Sequence, residues 1–372
     1  MTRRLELTSL LLAVLFLIVS QSDLSGYEVK LVERLEFAHS QEATLFPRDI
    51  CITEDGLLLI SDQHTGDVKI YSREGETLRL IGTIGGRETD NEEIQYPTYC
   101  FYNPNESKFG VIDFAKKKIL LYDRVSKVDF KYIQTIDCPY LSDGILLIDS
   151  KLLISGFTLD SRNNSYDLYS IDLTSNQTTF LLPSYLKYGL KSPAEYKDKY
   201  HNSLAIKALG INGLFALRGD YIYFAWEGDL KIIKMDMETG REVPFKRADR
   251  KGSPYVRPST SNYFPALLRG YEAKDTDIIR RAKTKMSLVR HIFTDAEHIY
   301  VVYEGPIVKK SGKESNFHLQ IYSINGEFLA DVPIPGQPDR PMYFDADQCL
   351  LYSLGKYPGT SEYSILKYLI HK

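Results

Sequence analysis

Four residues of metal-ligand type fall near the ends of apolar, strand-like runs. Asp62, Asp113 and Glu227 each close or follow such a run, and His64 lies two residues beyond Asp62. Carboxylates and an imidazole brought to one place are a donor set that a divalent cation such as calcium accepts. The competing reading is local, because an Asp at a strand end caps the following turn with its own side chain. The Asp of Asp62 and Asp113 is not repeated in later repeats, which argues against a symmetric ring of ligands. No HxxxH or HExxH spacing, GxSxG elbow, phosphate loop or dinucleotide fingerprint is present. His291 and His298 sit in strand-like runs and read as packed or surface histidines. The expectation is therefore no catalytic residue and no resident cofactor, with a cation on Asp62, His64, Asp113 and Glu227 as the one exception.

A second group suits recognition rather than catalysis. Within 246–285, Arg250, Arg257 and Arg269 alternate with Tyr255, Tyr263 and Tyr271. Guanidinium groups form paired hydrogen bonds to carboxylates and other anionic acceptors, and tyrosine combines an apolar ring with a polar tip. With the single tryptophan, Trp226, these residues form the candidate binding set; the competing reading is a solvated loop. The net charge of −3 provides no overall footprint for nucleic acid. Arg218-Gly219-Asp220 is an adhesion-type tripeptide, but Gly-Asp is also a favoured turn pair.

The elements that must position these groups repeat along the chain. Residues 46–86 divide into four short apolar runs separated by Glu54-Asp55-Gly56, His64-Thr65-Gly66 and Arg73-Glu74-Gly75. Each break carries a glycine where a hairpin turn can need positive φ. Four strands in about 40 residues form one antiparallel blade, which needs neighbours to bury both faces. Further repeats follow at 96–136, 140–183, 205–245, 286–335 and 340–370, the last with only three runs. The strand predicted at 27–37 has no local partner, so it is expected to complete the last blade from outside and close the ring. The fold class read from the sequence is all-β: a six-bladed propeller of four-stranded antiparallel blades, forming a single domain over 23–372.

Sorted by face, the longest connections fall together. Segments 87–95, 184–202 and 246–285 link successive blades, and 158–166, 305–316 and 355–360 join second to third strands. All share one end of a propeller. Short helices are expected within 184–202 and 246–285, lying across that face. Long loops gathered on one face of a rigid scaffold favour function there.

Arg3 and Arg4 precede an apolar run from Leu7 to Val19 and then small polar residues. That order predicts a secretory signal peptide over 1–22 and a secreted or periplasmic protein with no membrane span after cleavage. Cys51, Cys100, Cys138 and Cys349 allow three pairings, which spacing leaves open. Cys51 and Cys100 fall at nearly the same point of two successive repeats, in the innermost strand.

The series Pro47, Asp55-Gly56, Ile60-Ser61-Asp62, Val68-Lys69-Ile70-Tyr71, Gly75, Ile81-Gly82 and Gly85-Gly86, with a partial echo over 97–136, resembles the NHL-type, TolB-like six-bladed propellers of secreted bacterial proteins. The later repeats lack its opening Pro and closing glycines. The resemblance implies fold more than activity. The function expected is a monomeric binding or scaffold protein that recognises a protein, peptide or glycan on its loop-rich face. The alternatives are a metal-assisted hydrolase or lyase of lactonase type, as similar propellers include, and an assembly component of an envelope complex.

Overall fold

The computed structural model describes residues 26–38, 46–86, 94–138, 142–162, 164–183, 213–227, 229–243, 245, 287–306, 317–336, 338–356 and 363–372. The expected signal segment and the insertions 184–202 and 246–285, with their predicted helices, lie outside them. Every described element is a strand. No helix among the described residues is long and apolar enough to cross a membrane.

β1 (Glu28–Phe37) stands apart from its neighbours in sequence. The first repeat then gives β2 (Pro47–Ile52), β3 (Leu58–Asp62), β4 (Asp67–Glu74) and β5 (Thr77–Gly85), paired antiparallel in that order. Its turns work as the glycines predict: Gly56 and Gly75 take φ of 81° and 65°, a region open to glycine at no steric cost. The second repeat is β6 (Pro97–Asn103), β7 (Lys108–Asp113), β8 (Lys118–Arg124) and β9 (Phe130–Asp137). The third is β10 (Ser142–Ile148), β11 (Lys151–Leu159), β12 (Ser165–Asp172) and β13 (Thr178–Pro183). The fourth is β14 (Gly213–Arg218), β15 (Tyr221–Trp226) and β16 (Asp229–Asp236). The fifth is β17 (Leu288–Thr294), β18 (His298–Glu304), β19 (Phe317–Ser323) and β20 (Phe328–Pro333). The last is β21 (Pro338–Asp345), β22 (Leu350–Lys356) and β23 (Tyr363–His371).

β1 lies antiparallel on β23, from Glu28 opposite His371 to Glu36 opposite Ser364. It thus adds an outer strand to the last repeat. Its far end also touches the first repeat in parallel, where Glu36 N–H donates to Glu76 O and Ala38 N–H to Leu78 O, both at 2.9 Å. This contact fuses the first and last repeats into one eight-stranded sheet, so hydrogen bonding counts five sheets rather than six. Glu33 of β1 reinforces the join by pairing with Arg73 of β4 and Lys367 of β23.

Two expectations require correction. Among the described residues the fourth repeat has three strands and not four: past the turn at Gly240 the sheet continues as an isolated bridge, Met235 with Glu242, and a bond from Val243 N–H to Lys234 O at 2.8 Å. In the third repeat, the loop predicted over 158–166 is shorter, because its two ends belong to β11 and β12. Pairing resumes past an irregularity at Thr158 with Tyr166, and Asp160 closes the remaining turn by accepting from the N–H groups of Arg162 and Asn164.

The apolar runs are continuous because these sheets are covered on both faces. Side chains alternate across a strand, so Leu57 and Leu59 pack toward β7 and β8 while Leu58 and Ile60 pack toward β1 and β23. Among the described residues, six hydrophobic clusters lie between successive repeats, the sixth joining last to first. The innermost strands meet in the same order: β2 with β6, then β10, β14, β17 and β21, and β21 again with β2. The architecture is a propeller-like ring of antiparallel sheets around a central space.

Candidate functional site

That central space is a cavity of about 750 Å³ lined by residues of all six innermost strands. The volume falls within the roughly 300–1,000 Å³ of small-molecule sites. Phe46, Gln63, Tyr96, Phe114 and Glu227 line it at the end where repeats connect and second strands turn into third. It therefore opens toward the face that carries the long insertions.

The mouth is aromatic. Phe46, Tyr96 and Phe114 are 52%, 37% and 45% exposed, the largest apolar groups left open near the axis. The Tyr96 and Phe114 ring centroids are 5.9 Å apart, and the Arg48 guanidinium lies 4.9 Å over the Phe46 ring.

Polar groups lie deeper. Asp49 on β2 accepts from Cys100 N–H at 2.8 Å and from Ile50 N–H at 2.9 Å, tying two neighbouring innermost strands. Burial pushes its carboxyl up to about 7, against the pull of those two amides. Arg290 on β17 donates to Glu304 at 2.8 Å and also to Glu227, so two carboxylates hold its guanidinium. His291 stacks on Phe293 with ring centroids 5.5 Å apart. Burial and the Arg290 charge pull its imidazole down to about 3, leaving it neutral in any physiological medium.

Three buried polar atoms on the wall have no hydrogen-bond partner among the described residues: Gln63 Oε1, Ser155 Oγ and His291 Nε2. Ser155 belongs to β11, a second strand, and reaches the cavity because Gly144 on β10 has no side chain. A Cβ built on Gly144 would sit 3.0 Å from Ser155 Oγ and 3.6 Å from the Phe215 ring.

The expected ligand set for a cation does not assemble. Among the described residues no three His, Cys, Asp or Glu side chains are grouped for a metal. Asp62 is fully buried and accepts from Phe46 N–H at 3.0 Å and His64 N–H at 2.9 Å, with Lys69 Nζ at 3.8 Å. Asp113 accepts from the amides of Gln95, Tyr96, Ala115 and Lys116. Each carboxylate thus closes its own turn and also ties the incoming connection to the blade. His64 contributes to this arrangement through its main chain, and Glu227 is committed to Arg290.

Trp226 is not open to solvent either. It is 2% exposed, packs edge-on against Phe224 at 5.3 Å, and donates from Nε1 to Asp167 at 2.9 Å. The reason is its place at the end of a second strand, between two repeats. Arg250, Tyr255, Arg257, Tyr263, Arg269 and Tyr271 lie outside the described residues. The four cysteines are free thiols, with Cys51 and Cys100 buried in one cluster. The tripeptide 218–220 forms the β14–β15 hairpin, with Gly219 at a φ of 55°.

Sequence reasoning missed the cavity set of Asp49, Gln63, Ser155, Arg290 and His291. One signal was available: each innermost strand opens its repeat, so a polar residue early in a repeat, such as Asp49 after Pro47, is a candidate wall residue. Ser155 gives no such sign, because its place at the wall depends on the glycine across the sheet.

No protein-family model and no curated protein matches the chain. Solved structures do. A member of the DUF4221 family from Bacteroides vulgatus superposes with a TM-score of 0.60 at 12% identity, over 93% of this chain and 98% of that one. A protein of Bacteroides fragilis inferred to be exported gives a TM-score of 0.59 at 13% identity, over 94% and 96%. At such identities the likeness is one of fold: this chain shares, over nearly its whole length, the architecture of these two Bacteroides proteins.

Proposed function

We propose that the chain is an exported, six-bladed propeller that binds an extracytoplasmic ligand at the open end of its central cavity, without catalysis. The observation that carries the reading is the cavity itself: one concave site on the axis, rimmed by three exposed aromatic rings and walled by buried polar groups. Large well-formed cavities with a few convergent polar groups are where ligands bind. The six-blade count is supported by the closed circuit of innermost strands and the six inter-repeat clusters, with β1 as outer strand of the last blade. Kinship with NHL-type, TolB-like propellers is part of the proposal and rests on the residues of the first two repeats. Export is supported by the pattern of residues 1–22 and by the inferred export of the Bacteroides fragilis protein. Arg250, Tyr255, Arg257, Tyr263, Arg269 and Tyr271 belong to the proposed surface as the insertion that borders this face. The metal-assisted reading has less support, since Asp113 and one oxygen of Asp62 accept backbone amides and no three ligand-type side chains are grouped among the described residues.

The test is thermal unfolding of the purified chain with saccharides, peptides, lactones, and divalent cations with and without chelator. A ligand present at about 100 times its Kd stabilises by about 2.7 kcal/mol. A shift with a saccharide or peptide, cut to about half in Phe114→Ala, is the expected result. A cation shift reversed by chelator and abolished in Asp62→Asn would replace this reading with the metal-assisted one.

A further inference from the structure

From the cavity wall we infer the ligand class: a neutral, hydroxyl-rich ligand, a saccharide unit, seated between the aromatic rim and Gln63, Ser155 and His291. The inference rests on the binding reading above and narrows it.

Buried polar atoms without partners cost free energy, and a native structure that keeps several in one place calls for an explanation. Gln63 is 6% exposed and Ser155 is fully buried, yet Gln63 Oε1, Ser155 Oγ and His291 Nε2 meet no partner among the described residues. All three line one cavity. A ligand that supplies their hydrogen bonds would recover that cost on binding.

The three atoms differ in what they need. Gln63 Oε1 only accepts, Ser155 Oγ both donates and accepts, and the role of His291 Nε2 depends on its tautomer. A hydroxyl group donates and accepts at once, so a polyol satisfies all three in either tautomer. A purely apolar ligand would seal them off unpaired.

Charge points the same way. The Arg290 guanidinium is already held by Glu227 and Glu304, and both Asp49 carboxylate oxygens accept main-chain amides. An ionic ligand would be desolvated there with its counter-charges committed elsewhere. Arg48 remains at the mouth, over Phe46. Phe46, Tyr96 and Phe114 offer flat apolar faces on which the C–H face of a sugar ring can lie while its hydroxyls point inward.

The experiment probes the purified full chain with an array of neutral and charged oligosaccharides, then measures hits by calorimetry on wild type, Ser155→Ala, Gln63→Leu and Phe114→Ala. Unliganded melting is recorded for each. Neutral saccharides should bind wild type, and each cavity variant should lose about tenfold in affinity, in Ser155→Ala and Gln63→Leu through one hydrogen bond to a ligand hydroxyl and in Phe114→Ala through the lost ring contact. Because Ser155 Oγ and Gln63 Oε1 meet no partner among the described residues, Ser155→Ala and Gln63→Leu should leave unliganded melting unchanged or raise it, which a structural role would not allow. Binding only to peptides or to charged saccharides would overturn the saccharide inference and leave the binding reading standing. Neutral saccharides that bind wild type and Ser155→Ala equally would overturn the assigned site. An absence of binding to saccharides and peptides alike would overturn both.

Discussion

Asp49 and His291 face one cavity with opposite proton linkages, and removing either should expose the other. Asp49 is pushed up to about 7 in the fold, against about 3.9 in an unfolded chain. Between those values the folded state holds a proton that the unfolded state has released. Stability therefore falls as pH rises from about 4 to 7, by about 1.4 kcal/mol per unit at full effect. His291 is pulled down to about 3, against about 6.5 unfolded. Between those values the unfolded state holds the extra proton, so stability is lost as pH falls from about 6.5 to 3. Over pH 4–6.5 the two slopes have equal size and opposite sign, and in the wild-type protein they cancel. In Asp49→Asn the carboxyl's contribution is gone, so the variant gains on wild type as pH rises, by about 3 kcal/mol across pH 4–6.5. In His291→Gln the variant gains on wild type as pH falls, by a similar amount.

The assay is urea unfolding of wild type, both single variants and the double variant at half-unit steps from pH 4 to 7.5. Differences between variant and wild type remove the background from every other titrating group. Any hydrogen bond altered at the Cys100 or Ile50 amide shifts a curve vertically without changing its slope, so the slope is the diagnostic. The double variant should again run parallel to wild type. If both single variants ran parallel to wild type, neither group would titrate as its burial dictates, and the enclosed character assigned to the wall would be wrong.

Other outcomes follow from the same contacts. Asp113→Ala removes the acceptor for four main-chain amides and should cost about 3 kcal/mol or more in chemical denaturation, with no dependence on calcium. Leu35→Ala on β1, a side chain 2% exposed between the last and first repeats, should cost about 2–5 kcal/mol and lower the cooperativity of unfolding if β1 closes the ring. Trp226→Phe keeps the ring but loses the bond from Nε1 to Asp167, and should cost about 1–3 kcal/mol in melting while leaving saccharide binding unchanged.

Most of the ring was legible because its signals are local. Turn glycines, apolar runs and the 40–50-residue repeat each reflect a strand and its nearest hairpin, and β2 to β5 follow them closely. The outer position of β1 could also be read, since a strand with no local partner and a last repeat short of one strand fit each other. The second contact of β1, with β5, was not legible, because it depends on where the chain leaves the last blade. In the fourth repeat, the run predicted as a last strand is represented among the described residues by an isolated bridge at Glu242.

The site was harder to read than the fold because it is radial. Sequence periodicity shows which way a side chain points across its strand, but a cavity on the axis is built from single residues drawn from six separate repeats. Asp62 and Asp113 drew attention as chemistry because they are carboxylates at matched positions, and their match turned out to serve the blades: each holds the turn and connection of its own repeat. Repetition is what structural residues show in a repeat protein. Ser155 stands where Ser61 and Ser353 stand in their repeats, but where Ser61 Oγ accepts from Asp49 N–H, Ser155 Oγ meets no partner among the described residues, and Gln63 Oε1 and His291 Nε2 are left likewise. In a ring of similar blades, a buried polar atom left without the partner that its counterpart keeps is the one to test for function.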